Sequence, residues 1–343
     1  MPGEWEEHEA TWLAWPHNHN DWPGKLDAIR WAYCEIVRKI CAGEVVRMLV
    51  RGREEEKNAR CYLTSAGVDP SRLQFIIHPT NRSWMRDSGP VFVRRRSGKR
   101  SETAIVDFHF NAWAKYDDWQ KDRKVPGVAG RTLGRRVFSA EHLGTPFVLE
   151  GGGIDVNGRG TLLTTAECYL DKAVQVRNPG LGRRQFEAVL EAYLGATNVL
   201  WLGKGPAGDD THGHVDDIAR FVDPTTIVLV REDDRKDENY RALAENWEKI
   251  RDFRLEDGTR PDVVPLPMPG PIFFDGQRLP ASYANFYISN AAVIVPTFND
   301  ARDRIALGTL ADLFTDREVV GVHAVDLVLG QGTLHCLSQQ QPR

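Results

Sequence analysis

Ile154-Asp155-Val156-Asn157-Gly158, followed closely by Thr161-Leu162-Leu163, is the stretch on which the fold can be read. Asn-Gly between two apolar runs is a strong short-range hairpin signal, because both residues tolerate positive φ. Downstream, residues 183–194 place Phe186, Val189, Leu190 and Tyr193 on one face at helical spacing, with Gly195 where a helix would end. Val199-Leu200-Trp201-Leu202 then reads as a strand. Hairpin, amphipathic helix, strand is therefore one structural unit.

The same order recurs along the chain. Residues 218–221 turn at Asp223-Pro224 into 226–230, then a helix near 239–253 and a strand at 263–266. Residues 283–288 turn at Ser289-Asn290 into 293–295, then a helix near 301–314 and a strand at 319–323. At the front, 11–15 precedes a helix with Leu26, Ile29, Tyr33, Ile36, Val37 and Ile40 on one face, then a strand at 45–50. A further hairpin, 91–94 with 103–108, leads into a polar aromatic stretch, 111–123, with no evident assignment. Repeats tens of residues long bury the apolar face of each unit against its neighbours. The pattern predicts one domain over residues 1–343, an α/β fold of about five ββαβ-type modules. An ordinary α/β sheet whose hairpins recur by chance is the alternative.

Composition narrows the function. Of 343 residues, 41% are hydrophobic and 27% charged, enough for a packed core and a soluble surface. Lys plus Arg number 44 and Asp plus Glu 48, a net charge of −4, too mild to gather nucleic acid or anionic lipid. A small molecule is the expected partner. The five cysteines (34, 41, 61, 168 and 336) include no C-x-x-C pair, which argues against a disulfide framework or thiolate zinc site. The acidic opening shows no secretory pattern, and no apolar run approaches the ~20 residues of a membrane helix. A cytoplasmic setting is expected.

The chemically informative residues stand next to hairpins. Asp87 lies in Trp84-Met85-Arg86-Asp87-Ser88-Gly89-Pro90, and Glu150 opens Gly151-Gly152-Gly153. His214 and Asp216 lie in Thr211-His212-Gly213-His214-Val215-Asp216-Asp217, and Cys336 follows the last helix and strand. In a closed array of modules, equivalent positions face one axis and would gather carboxylates, an imidazole and a thiol. Such a carboxylate cluster calls for a cation, and the planar guanidinium fork accepts paired carboxylates best. A thiolate beside His is a strong nucleophile near neutral pH. Together they describe sulfur attack on a guanidinium carbon.

Several blocks carry a family resemblance: Trp5…His8…Trp12-Leu13-Ala14-Trp15-Pro16, the Trp84–Pro90 motif, Phe110-Asn111-Ala112-Trp113, Leu149-Glu150-Gly151-Gly152-Gly153, Gly213-His214-Val215-Asp216 and His335-Cys336-Leu337-Ser338-Gln339-Gln340. In these the chain resembles the agmatine deiminases, nearly from Trp5 to Gln340 and in the same order. The resemblance implies a five-bladed α/β propeller (pentein) with pseudo-fivefold symmetry, working without metal or organic cofactor. It implies Cys336 as nucleophile, His214 as general acid and base, and Glu150 orienting His214 and contacting the substrate. Asp87 and Asp216 would grip the guanidinium, and agmatine would yield N-carbamoylputrescine, a precursor in putrescine synthesis. Homodimers are common among such enzymes.

Rival readings remain open on the residues alone. His212-x-His214-x-Asp216 alternates as metal ligands do at a strand end, although Asp217 stands where that pattern has a final His. Arginine, peptidyl-arginine, an amidinotransferase reaction or a non-catalytic binding protein are the other classes. Trp84 and Trp113 are candidates for packing on the substrate chain, and Asp209 or Asp210 for its distal amine. Cys34, Cys41, Cys61 and Cys168 read as structural.

Overall fold

The computed structural model describes residues 1–97 and 100–343, with side chains 96–100 outside the description. The backbone forms two compact units, one of Met1–Gly3 and Asp87–Leu266, the other of Glu4–Arg86 and Pro267–Arg343. Each has a mixed α/β architecture. Among the described residues, no helix is long and apolar enough to cross a membrane.

In the first unit the hairpin at Asn157-Gly158 forms as expected. Asp155–Val156 pairs antiparallel with Thr161–Thr165, Leu162 standing opposite Val156. The turn is longer than two residues, because the Asn157 carboxamide oxygen accepts from the backbone N–H groups of Arg159 and Thr161, each at 2.9 Å. An Asn side chain that mimics backbone in this way holds a wider loop. The helix Arg183–Leu194 follows, ending on Gly195 at φ 71, whose N–H bonds to Glu191 O. Asn198–Leu202 then returns parallel to Thr161–Thr165.

Phe186 anchors this module. Its ring centroid lies 4.6 Å from Tyr169, 5.1 Å from Phe147 and 5.5 Å from Trp201. Val189, Leu190 and Leu194 are buried on the same helix face. Two further sheets of this unit repeat the order. Ala219–Phe221, Thr226–Arg231 and Asp262–Pro267 adjoin in sequence, with the helix Asn239–Ile250 before the last strand. Val91–Ser97 and Arg100–Asp107 form the hairpin, and Val137–Ser139 joins in parallel after the helix Val125–Leu133. The unassigned stretch 111–123 supplies two short 3-10 turns, Ala112–Ala114 and Asp122–Lys124, that lead into that helix.

The second unit holds Tyr287–Ile288, Ala292–Thr297 and Glu318–His323, with the helix Asp303–Leu313 preceding the last strand. Another of its sheets departs from the expected plan. His8–Ala14 pairs antiparallel with Gln339–Pro342 and parallel with Val45–Val50, so the front module takes its hairpin partner from the opposite end of the chain. No turn signal marks a pairing at such separation. A further helix, Arg53–Ser65, and strand, Leu73–Ile77, extend this sheet beyond the expected module. The helix Leu26–Cys41 buries Leu26, Ile29, Tyr33, Ile36, Val37 and Ile40, the stripe read from spacing.

Leu190→Ala is expected to lower the unfolding free energy by about 2–5 kcal/mol, because Leu190 is fully buried. Denaturant unfolding would measure this, with exposed Glu191→Ala on the same helix staying within about 0.5 kcal/mol of the parent.

Candidate active site

His214 in the first unit is placed by a loop that Asp209 organises. Asp209 Oδ1 accepts from the N–H and hydroxyl of Thr211 at 2.8 and 2.6 Å. Its Oδ2 accepts from the N–H groups of Gly213 and His214 at 2.6 and 3.2 Å. Both carboxylate oxygens therefore serve the backbone, a different task from the distal amine contact considered above. His212 takes φ 62 and Gly213 φ 92, which turns consecutive side chains apart. His212 Nε2 lies 2.8 Å from Asp171 Oδ2, while His214 is fully buried. The alternation His212-x-His214-x-Asp216 is thus not gathered at one point. Asp210, the other acidic candidate for the distal amine, binds Lys115 Nζ and accepts from the Tyr116 hydroxyl at 2.8 Å.

Three carboxylates surround the His214 ring. Nδ1 lies 3.8 Å from Asp87 Oδ1 and 4.0 Å from Asp216 Oδ1, and Nε2 lies 3.7 Å from Glu150 Oε2. These are ion-pair separations longer than hydrogen bonds. Asp87 comes from the helical turn Met85–Ser88, Glu150 from the residue before the 3-10 turn Gly151–Gly153, and Asp216 from the turn Val215–Asp217. Gly152 makes the convergence possible. A Cβ there would stand 2.5 Å from His214 Nδ1, 2.9 Å from Asp87 Oδ1 and 3.1 Å from Asp216 Oδ2. Its N–H instead donates to Asp87 Oδ1 at 3.0 Å.

Trp113 meets the same group from a strained turn. Ala112, Trp113 and Ala114 all take left-handed φ (50, 59 and 52), a conformation costing roughly 1–3 kcal/mol per non-glycine residue. Asn111 Oδ1 accepts the Ala114 N–H, and Gln175 Nε2 donates to the carbonyls of Trp113 and Asp210. So held, the indole N–H donates to Asp87 Oδ2 at 2.9 Å. Trp113 is buried, and its N–H directs a carboxylate.

Two buried residues that the sequence reading did not assign to the site complete this cluster. Arg177 donates from Nε to Glu150 Oε1 at 3.2 Å, from Nη1 to Gln175 O at 2.9 Å, and from Nη2 to Thr211 O. Cys168, read above as structural, offers its sulfur within 4.8 Å of ligand atoms of both Glu150 and His214. An Arg in a Val-Arg-Asn-Pro stretch and a Cys on a short helix carry no local signal. Their roles arise only where the chain folds back.

The charges are set by burial and by one another. Burial raises the Asp87 carboxyl to about 6; His214 and the Trp113 N–H oppose the rise, and Asp216 and Glu150 reinforce it. For Glu150 burial also acts upward, but Arg177 and His214 outweigh it and hold the group below its ordinary value. Burial would strip the proton from His214, yet Asp87, with Cys168 and Glu150, keeps it well above the ordinary imidazole range. The result is a buried cation among acids, one of them, Asp87, pushed up to about 6.

Cys336 lies in the second unit, buried in the one-turn helix Leu334–Leu337. Asn285, another residue without a sequence signal, organises its neighbourhood. Asn285 Nδ2 donates to Cys336 Sγ at 3.0 Å, and its Oδ1 accepts from Thr333 Oγ1 at 2.8 Å and His335 N at 3.1 Å. His335 Nε2 and Arg86 Nη2 both reach Glu4 Oε2, at 2.8 and 2.9 Å. Trp84 packs on Trp22 with ring centroids 5.3 Å apart. A Cβ on Gly332 would lie 3.0 Å from Trp84 Cζ3 and 3.1 Å from Cys336 Sγ, so indole and thiol border the same glycine.

Known proteins agree in sequence and backbone. Residues 1–342 match the sequence model of the Porphyromonas-type peptidyl-arginine deiminase family. A Legionella pneumophila (strain Paris) protein described as "Putative agmatine deiminase" is 34% identical over 347 residues, covering 100% of this chain and 95% of its own. The solved agmatine deiminase of Enterococcus faecalis superposes with a TM-score of 0.90 at 31% identity, over 100% of this chain and 95% of its own. A C. jejuni agmatine deiminase with a cysteine-to-serine substitution and bound substrate gives a TM-score of 0.86 at 29% identity, over 100% and 96%.

Gly152→Ala is expected to displace His214 and destabilise the protein by about 1–3 kcal/mol, the usual range for overpacking. Histidine NMR should show a shifted His214 imidazole in that variant, with the His212 signals unchanged.

Proposed function

The chain belongs to the Porphyromonas-type peptidyl-arginine deiminase family, and on that footing we propose that it is an agmatine deiminase. The observation that carries this reading is the buried set of Asp87, Glu150 and Asp216 around His214, converging on Gly152. Paired carboxylates out of water suit a planar cation that donates along several edges. The relatives described as agmatine deiminases supply the substrate, and the substrate-bound cysteine-to-serine structure accords with a thiol nucleophile.

In this mechanism Asp87 and Asp216 bind the guanidinium nitrogens. Cys336 Sγ forms a bond to the guanidinium carbon, giving a tetrahedral adduct. The C–N bond to one terminal nitrogen breaks as His214 delivers a proton, and ammonia leaves an amidino-thioether on Cys336. His214, now neutral, takes a proton from water, which attacks the same carbon. The C–S bond then breaks, returning the Cys336 thiolate, and the new carbonyl oxygen loses its remaining proton to solvent as N-carbamoylputrescine is released. Glu150, anchored by Arg177, orients His214 throughout; Trp113 orients Asp87, and Trp84 borders the thiol. The chemistry requires Cys336 to reach a guanidinium held by Asp87 and Asp216.

The same reading takes the hairpin–helix–strand sheets as the blades of a five-bladed α/β propeller forming one catalytic domain. It expects a cytoplasmic enzyme, homodimeric as such enzymes commonly are, that turns over a small guanidine with no cofactor. The family's description favours a second substrate, peptidyl-arginine, which the same guanidinium chemistry would serve.

Ammonia release from agmatine, arginine and arginine peptides discriminates these readings. Agmatine is expected to be the best substrate, and release from arginine alone would overturn the assignment. Cys336→Ala should abolish release, and His214→Ala should lower it by about 10²–10⁴. The Asp87 carboxyl loses its proton as pH rises through about 6, and only the anion grips a guanidinium. kcat/KM is therefore expected to fall as pH drops below about 6, and Asp87→Asn should lose that acidic limb along with most activity.

A further inference from the structure

We propose that Glu150, Cys168 and His214 form a binding site for a thiophilic divalent cation, zinc foremost, and that its occupancy shuts the enzyme down. The mechanism above gives Cys168 no task, although its sulfur lies within 4.8 Å of ligand atoms of Glu150 and His214. Its backbone is fixed: the Thr165 side chain accepts the Cys168 N–H at 3.1 Å at the start of the helix Ala166–Leu170.

The two other donors point to the same place. Glu150 Oε2 and His214 Nε2 stand 3.7 Å apart, fully buried, and neither makes a hydrogen bond to the described residues. Zinc ligands at ~2.0–2.3 Å in a tetrahedral arrangement lie roughly 3.3–3.8 Å from one another. The outer partners also fit. A metal-bound imidazole is usually oriented through its other nitrogen by a carboxylate, and His214 Nδ1 faces Asp87 Oδ1 and Asp216 Oδ1 at 3.8 and 4.0 Å. Arg177 secures Glu150 Oε1, so one oxygen remains for the metal. The charge of Arg177 disfavours a cation, and it is opposed by Asp87 and Asp216 and, once metal is bound, by the Cys168 thiolate.

The donor set decides which cation. Sulfur, imidazole nitrogen and one carboxylate oxygen suit zinc and its softer analogues, and suit magnesium or calcium poorly. Binding converts the Cys168 thiol into a metal thiolate and takes the Nε2 proton from the His214 imidazolium, so two protons pass to solvent. A metal bond at Nε2 also removes the ring nitrogen from proton transfer. The binding stands on geometry alone, whereas the inhibition rests on His214 being the general acid and base.

Calorimetric titration of zinc into Cys336→Ala protein tests the binding without turnover. One zinc per chain is expected, with proton release, and cobalt should give a thiolate charge-transfer absorption. Both signals should vanish when Cys168→Ala is added, while Cys168→Ser, which keeps the side-chain volume, should weaken zinc at least tenfold. Unchanged zinc affinity in the double variant would overturn the site. In the otherwise unmodified enzyme, zinc sensitivity, scaled to each variant's zinc-free rate, should fall at least tenfold on Cys168→Ser. Zinc binding with no guanidine turnover under any condition would sustain the site and overturn the functional reading.

Discussion

A buried ion pair, Arg177 with Glu150, is the interaction on which the site depends. Both side chains are shielded from water. An isolated carboxylate in such surroundings would take up a proton, since desolvation penalises charge far more than it penalises neutral groups. Arg177 keeps Glu150 anionic, and an anionic Glu150 helps to hold His214 as a cation among Asp87 and Asp216. Removing one member of so tightly coupled a set leaves its neighbours with uncompensated charge, a cost of several kcal/mol for buried pairs in general.

Much of the surrounding backbone is shaped by this charge arrangement. Gly152 is small so that three polar side chains can approach, and the left-handed turn at 112–114 persists so that an indole N–H can meet Asp87. Gln175 and Arg177, two residues apart, reach that turn, the Asp210–Thr211 carbonyls and Glu150. A short segment thereby links the strained turn to the His214 loop. Strain of this kind survives where surrounding contacts over-determine it, which is characteristic of positions that must present a group in one orientation.

Local readings succeeded where the physics is local. The helix over residues 183–194, its glycine end and the strands on either side depend on apolar spacing and on turn residues within a few positions. Asp87, Glu150, His214 and Asp216 stood out because each lies in a short motif beside a hairpin: Asp87 in Trp84–Pro90, Glu150 before three glycines, and His214 and Asp216 within residues 211–217. Cys168, Arg177 and Asn285 were not, because an isolated Cys, Arg or Asn looks the same in sequence whether it faces solvent or a buried partner. Asp209, one candidate among several for the distal amine, accepts from backbone N–H groups of its own loop, a role that composition cannot distinguish from a ligand contact.

The sequence by itself determined the hairpin–helix–strand units, the apolar helix faces, and the inventory of acids, imidazole and thiol suited to guanidine chemistry. Those features follow from turn conformation, side-chain periodicity and residue chemistry. Tertiary structure alone decided that Gln339–Pro342 pairs with His8–Ala14, that His212 turns to Asp171 while His214 turns inward, and that Arg177 and Cys168 join Glu150. Each of these joins groups separated along the chain, from about twenty residues to nearly its full length. Such contacts are selected by burial and charge compensation in the folded protein, and the local sequence carries no record of them.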